Sequence, residues 1–107
     1  MRTLTTYNEF HETLILENWL LVYFTASWCQ PCSTFSPVVL QTSDTFKKIL
    51  STIKIDVESI PEAAGEFDIR SVPTVLLFNQ GSVVEGVVGV QSFAQMTRWL
   101  SRKLLTF

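Results

Sequence analysis

Trp19-Leu20-Leu21-Val22-Tyr23-Phe24 is the longest unbroken apolar run of the chain, and it shows no alternation. A strand covered on both faces reads this way, as in a sheet sandwiched between helices. Val75-Leu76-Leu77-Phe78 has the same character. Thr52–Val57 alternates instead, with Ile53, Ile55 and Val57 on one side, and also predicts a strand. Asn79-Gln80-Gly81 then predicts a turn, with Val83–Val88 as the returning arm of a hairpin. Thr3–Thr5 suits a short first strand. Helical patterns fill the gaps. Thr6-Tyr7-Asn8-Glu9 is a capping box that opens a helix to about Glu17, with Phe10, Leu14 and Leu16 facing inward. Cys29-Gln30-Pro31-Cys32 opens a second helix running to Leu50. Pro31 is tolerated in its first turn, while Pro37 removes an internal hydrogen bond and predicts a kink. Pro61–Phe67 suits a short helix. Ser92-Phe93-Ala94-Gln95 is a second capping box, and its helix places Phe93, Met96, Leu100 and Leu104 on one face. Arg98, Arg102 and Lys103 near its end suit the negative pole of the helix dipole. The order β-α-β-α-β-α-β-β-α predicts a single α/β domain over residues 1–107, a mixed sheet flanked by helices.

Composition narrows the class. Of the 107 residues only 17% are charged, with 8 Lys or Arg against 10 Asp or Glu and a net charge of −2. Without clustered Lys and Arg no nucleic-acid partner is expected, and without a basic amphipathic stretch no membrane surface is expected either. From Asn18 to Ser43 no residue is charged. A membrane helix would need about 18 consecutive apolar positions, far more than Trp19–Phe24 supplies. The first residues, Met1 to Asn8, lack the apolar stretch of a secretory signal, so the sequence reads as cytoplasmic.

The chemistry centres on the two cysteines, Cys29 and Cys32, which form one C-x-x-C at the end of a buried strand and the start of a helix. A thiolate, not a thiol, is the nucleophile, and unpaired N–H groups at a helix N-terminus stabilise it. Cys29 should be the exposed attacker. Cys32, one turn in and more buried, is placed to resolve a mixed disulfide. Two blander readings compete. A structural disulfide closing so short a loop would give only about 2 kcal/mol, and a reducing compartment would not keep it. Structural zinc needs four ligands, and two Cys with His11 as the one histidine leave the set short, so no metal is expected. His11 itself falls opposite Phe10 and Leu14 and reads as a solvated surface residue rather than a base.

Further matches extend this reading. Trp28-Cys29 with Pro31-Cys32, then Pro37, Asp68-Ile69-Arg70-Ser71-Val72-Pro73-Thr74, Leu76-Leu77-Phe78, Gly81 and Gly89 follow one another in an order that resembles thioredoxin over nearly the whole length. The resemblance implies an α/β thioredoxin fold with a central mixed sheet of four to five strands and four helices. It implies a thiol–disulfide oxidoreductase in which Cys29 is nucleophile and Cys32 resolves, with no cofactor beyond a redox-active Cys29–Cys32 disulfide. It also implies a cis Val72–Pro73 peptide beside the cysteines, and a groove of Trp28, Val72, Pro73, Val88, Gly89 and Val90 that pairs with a client backbone. The partners implied are proteins with disulfides and a recycling enzyme such as thioredoxin reductase. A disulfide isomerase or oxidase with a specialised client, or a thioredoxin-like binding subunit, are the alternatives.

The sequence departs from the family at three supporting positions. Tyr23 stands where thioredoxins usually carry a buried Asp serving proton transfer with the second Cys, and a phenol is a poor base at neutral pH. Gln30 replaces the usual Gly before Pro31, and Ser33 a frequent Lys. Lys54 matches the family Lys that normally lies near that Asp. Without the carboxylate, like-charge repulsion on the thiols is relieved, and Cys29 is expected to ionise more readily. A less reducing potential than ordinary thioredoxin and slower resolution by Cys32 follow.

Overall fold

A computed structural model of the chain describes residues 1–105; the last two residues of the expected 1–107 domain lie outside the described residues. The elements are β1 (Arg2–Thr3), α1 (Tyr7–Leu16), β2 (Trp19–Thr25), α2 (Gln30–Thr45), β3 (Ser51–Asp56), α3 (Pro61–Glu66), β4 (Thr74–Asn79), β5 (Ser82–Val88) and α4 (Phe93–Leu105). The order of strands and helices is the expected one. The five strands lie in the order β1-β3-β2-β4-β5. β1 and β2 run parallel to β3, whereas β4 runs antiparallel to both β2 and β5.

The unbroken apolar run has a simple explanation in this sheet. β2 is central, so its alternate residues enter different layers. Leu20, Val22 and Phe24 pack with Phe10 and Leu14 of α1 and Ala63 of α3. Leu21 and Tyr23 pack on the other side with Phe35 and Val39 of α2 and Met96, Trp99 and Leu100 of α4. Both faces of β2 are therefore core, and no polar alternation survives.

Both capping boxes are formed. The Thr6 hydroxyl accepts from the Glu9 N–H while the Glu9 carboxylate accepts from the Thr6 N–H. Ser92 and Gln95 exchange the equivalent pair at 3.1 and 2.8 Å.

The structure corrects several boundaries and faces. The first strand is Arg2–Thr3 rather than Thr3–Thr5. Leu16 is 80% exposed, because the buried stripe of α1 is Phe10, Thr13 and Leu14 and position 16 falls off it. α2 stops at Thr45, not Leu50. Phe46 leaves helical geometry, and the Ile49 and Leu50 N–H groups donate back to its carbonyl. A helix reaching Leu50 would leave no chain to turn before β3 begins at Ser51. On α4 the buried stripe is Met96, Trp99 and Leu100, with Phe93 and Leu104 only half-buried.

Candidate active site

The C-terminal end of β2 delivers the chain into the loop Ala26-Ser27-Trp28, and Cys29 follows as the N-cap of α2. The Cys29 N–H donates to the Ala26 carbonyl at 3.2 Å, which turns the backbone so that its side chain points back over the helix start. The Cys32 N–H then donates to Cys29 Sγ at 3.2 Å. A sulfur takes the capping position usually held by an oxygen, and it receives one of the helix's unpaired donors. The two cysteines are joined by a disulfide, with their Cα atoms 5.2 Å apart.

Cys29 is not exposed as expected. It is 4% exposed and Cys32 2%. In the disulfide state its sulfur is turned inward, 3.8 Å from the Val72 carbonyl oxygen, within a cluster of Ala26, Cys32, Val57 and Val72. Trp28 beside it is 68% exposed, and Gln30 and Pro31 are also exposed.

The segment from Val72 closes over the cysteines. The Val72–Pro73 peptide is cis, Pro73 is buried, and its carbonyl accepts from the Gly89 N–H at 2.8 Å. Gly89 has φ +89° with open space where a Cβ would stand, so conformation rather than crowding favours glycine here. Val88 and Val90 on either side are 65% and 44% exposed. Trp28 and Val72 line a small cavity of about 110 Å³ with Val57, Ile69, Arg70 and Ser71. The site thus gathers Trp28, Cys29, Cys32, Val72, Pro73 and Gly89. Val88 and Val90 flank it, with nothing that places them against the sulfurs.

Tyr23 is fully buried. Its hydroxyl lies 3.1 Å from the Cys32 carbonyl oxygen and 2.8 Å from Ser36 Oγ. Ser36 Oγ–H in turn donates to the Cys32 carbonyl at 2.9 Å. Lys54 is the register partner of Tyr23 across the parallel β2–β3 pair and is half-buried on the same face. Ser36 was not singled out in the sequence. Its spacing of four from Cys32 is a readable signal, since such residues share a helix face. Val57 was missed too, because only packing brings it to the cysteines.

His11 is not simply solvated. Its Nε2 lies 2.8 Å from Glu66 Oε1, which also accepts from the Tyr7 hydroxyl at 2.6 Å. His11 and Glu66 border a wide hollow of about 690 Å³ that also includes Gln80 and Gly81. It opens at the opposite end of β4 from the cysteines. Among the described residues no group of three or more His, Cys, Asp or Glu stands together as a metal site, and no helix is long and apolar enough to cross a membrane.

The Thioredoxin family model matches residues 2–102. A curated thioredoxin-2 of Pyricularia oryzae is 38% identical over 89 residues, spanning 83% of this chain and 52% of that protein. A thioredoxin-like protein of Synechocystis is 37% identical over 81 residues, 76% of this chain and 77% of that protein. The chain therefore spans about half the length of one relative and three quarters of the other. Among solved structures, thioredoxin of Plasmodium falciparum superposes with a TM-score of 0.89 at 26% identity, covering 95% of this chain and 98% of that one.

Proposed function

The chain belongs to the thioredoxin family, and from that premise we propose that it exchanges disulfides with client proteins through Trp28-Cys29-Gln30-Pro31-Cys32. The observation that carries this reading is the Cys32 N–H aimed at Cys29 Sγ from 3.2 Å. In the reduced protein the same donor, at the start of α2, favours a thiolate on Cys29. That thiolate attacks a client disulfide and forms a mixed disulfide. The Cys32 thiolate then attacks Cys29 Sγ, the client sulfur leaves as a thiolate, and the Cys29–Cys32 bond closes. A recycling reductase returns the pair to the dithiol. The client's extended backbone docks along Trp28, Val72, Pro73 and Val88–Val90 in the manner of an added strand. The potential is less reducing than that of ordinary thioredoxin, because Tyr23 supplies no carboxylate beside the sulfurs. A reducing compartment, the cytoplasm, suits a chain with two cysteines in one such motif.

Insulin reduction driven by dithiothreitol tests the activity. The chain accelerates it, Cys29→Ser abolishes it, and Cys32→Ser accumulates mixed disulfides with clients on Cys29. A protein that binds the same clients non-covalently and leaves insulin untouched is a binding subunit, and the exchange reading fails.

A further inference from the structure

The mechanism above uses Cys32 as the resolving thiol but leaves open what holds it. Three polar atoms form a closed triangle behind it: the Tyr23 hydroxyl, Ser36 Oγ and the Cys32 carbonyl oxygen, separated by 2.8, 2.9 and 3.1 Å. Each hydroxyl carries one proton. With Tyr23 donating to Ser36 and Ser36 to the carbonyl, or with Tyr23 donating straight to the carbonyl, Cys32 always receives at least one hydroxyl donor. Tyr23 is fully buried against Phe35, its ring meeting that ring edge-on at 5.7 Å. A buried hydroxyl must keep its partner, and an apolar surrounding strengthens that bond.

The start of α2 has a reason to need such support. Pro37 lies inside the helix and has no N–H for the Ser33 carbonyl, so the turn directly after Cys32 lacks a backbone hydrogen bond. The hydroxyl pair binds one residue earlier. Cys32 is then fixed on both sides of its Cα, with its N–H on Cys29 Sγ and its C=O on Tyr23 and Ser36.

We propose that Tyr23 and Ser36 are positioning residues for the resolving step, their hydroxyls holding Cys32 in the orientation from which its sulfur attacks the Cys29 mixed disulfide. The proposal rests on the exchange reading given above. In that step the Cys32–Cys29 bond forms and the Cys29–client bond breaks. Cys32 gives its thiol proton to solvent and is oxidised, the client sulfur is reduced to a thiolate, and solvent returns a proton to it. The pair is neutral, so it positions Cys32 without setting an anion beside the developing charge.

A small aromatic disulfide, dithiobis(nitrobenzoate), separates the two steps in one stopped-flow trace with the full reduced chain. One coloured thiolate is released as Cys29 attacks, at a rate proportional to reagent. The second is released as Cys32 resolves, at a rate independent of reagent. Tyr23→Phe and Ser36→Ala each lower the ratio of the second rate to the first by about fivefold, the rate counterpart of one net hydrogen bond. The double variant falls short of the product of the two, since both hydroxyls act on one carbonyl. Ser36→Thr, whose hydroxyl can also reach back to the carbonyl four residues earlier, restores the ratio. A general loss of stability would lower the urea midpoint and leave the ratio alone. If Tyr23→Phe does not fold, Ser36→Ala with its threonine rescue carries the test by itself. A ratio unchanged in the variants, with the parent chain showing both phases, overturns this proposal alone. A parent chain that releases no second equivalent overturns the exchange reading and this proposal with it.

Discussion

Cys29 and Tyr23 meet the first turn of α2 from two sides, Cys29 as its N-cap and Tyr23 from the neighbouring strand β2. Cys29 receives the Cys32 N–H at 3.2 Å, and Tyr23 offers only a neutral hydroxyl to the Cys32 carbonyl. Lys54 sits beside Tyr23 in the sheet register. On the exchange reading proposed above, the backbone donor favours an anion on Cys29 and the neutral hydroxyl sets no carboxylate against it; whatever stabilises that thiolate stabilises the reduced protein and makes its disulfide the better oxidant. Equilibration with glutathione buffers should give a midpoint less negative than the about −270 mV of thioredoxin. Tyr23→Asp should move it to more negative values by placing a carboxylate near the sulfurs. A midpoint at or below thioredoxin's contradicts the argument. At this scale the sequence was informative where chemistry follows spacing, as with Cys29 and Cys32 three apart at a helix start; Ser36, four further on, carried the same kind of signal and was not singled out. It was silent on what a strand presents to a helix. That the Tyr23 hydroxyl meets the Cys32 carbonyl depends on how β2 and α2 pack. The burial of Cys29 depends on the Val72 segment folding over it.

Elements reveal themselves in sequence by their beginnings more than by their ends. Thr6–Glu9 and Ser92–Gln95 mark two helix starts because the bonds they form are local. The end of α2 at Thr45 depends on where β3 must begin, which no local pattern encodes. Leu16 and Trp99 show the same limit: an apolar residue near a stripe is assigned by the neighbouring element as much as by its own helix. The link between α1 and α3 was equally hidden, since Tyr7, His11 and Glu66 are far apart in sequence and meet only in the fold. Burial raises the Glu66 carboxyl's proton affinity, but the hydrogen bonds from Tyr7 and His11, with the His11 charge, outweigh it and hold the group below the ordinary carboxylate range. A folded value below the unfolded one stabilises the fold above the ordinary range, and that stabilisation is lost as pH falls through the folded value. The urea midpoint of the chain should therefore exceed that of Glu66→Gln near neutral pH. The difference should shrink as pH drops below about 4, where the unfolded carboxylate begins to bind protons. A difference that persists unchanged to about pH 2 would mean that shape, not charge, joins the two helices.

Across the whole molecule, the scarcity of charge has a location. The uncharged segments Asn18–Ser43, Ser71–Val84 and Gly86–Thr97 each send one stretch to the cysteines. They bring the C-x-x-C turn, the Val72 and Pro73 backbone and Gly89 together, with the Gly89 N–H on the Pro73 carbonyl and the Val72 carbonyl 3.8 Å from Cys29 Sγ. This convergence is legible in the chain only once the strand order is known, because β4 must lie beside β2 for Pro73 to reach the first turn of α2. Arg70 lines the small cavity beside Trp28, but its guanidinium is paired with the Asp68 carboxylate at 3.1 Å, so it brings little net field to the rim. In the proposed groove the exposed Trp28, Val88 and Val90 would supply apolar contact to a client instead. Docking of this kind relies on backbone pairing and buried apolar area, neither of which is screened by salt, whereas charge-steered encounter falls steeply with ionic strength. For a client disulfide of low net charge, kcat/KM should vary by less than about twofold as sodium chloride rises from about 0.05 to about 0.5 M. Trp28→Ala should raise KM across that whole range without introducing a salt dependence. A tenfold or greater fall with added salt would mean that charges outside the converged segments guide the client, and the uncharged surface would lose its role in recognition.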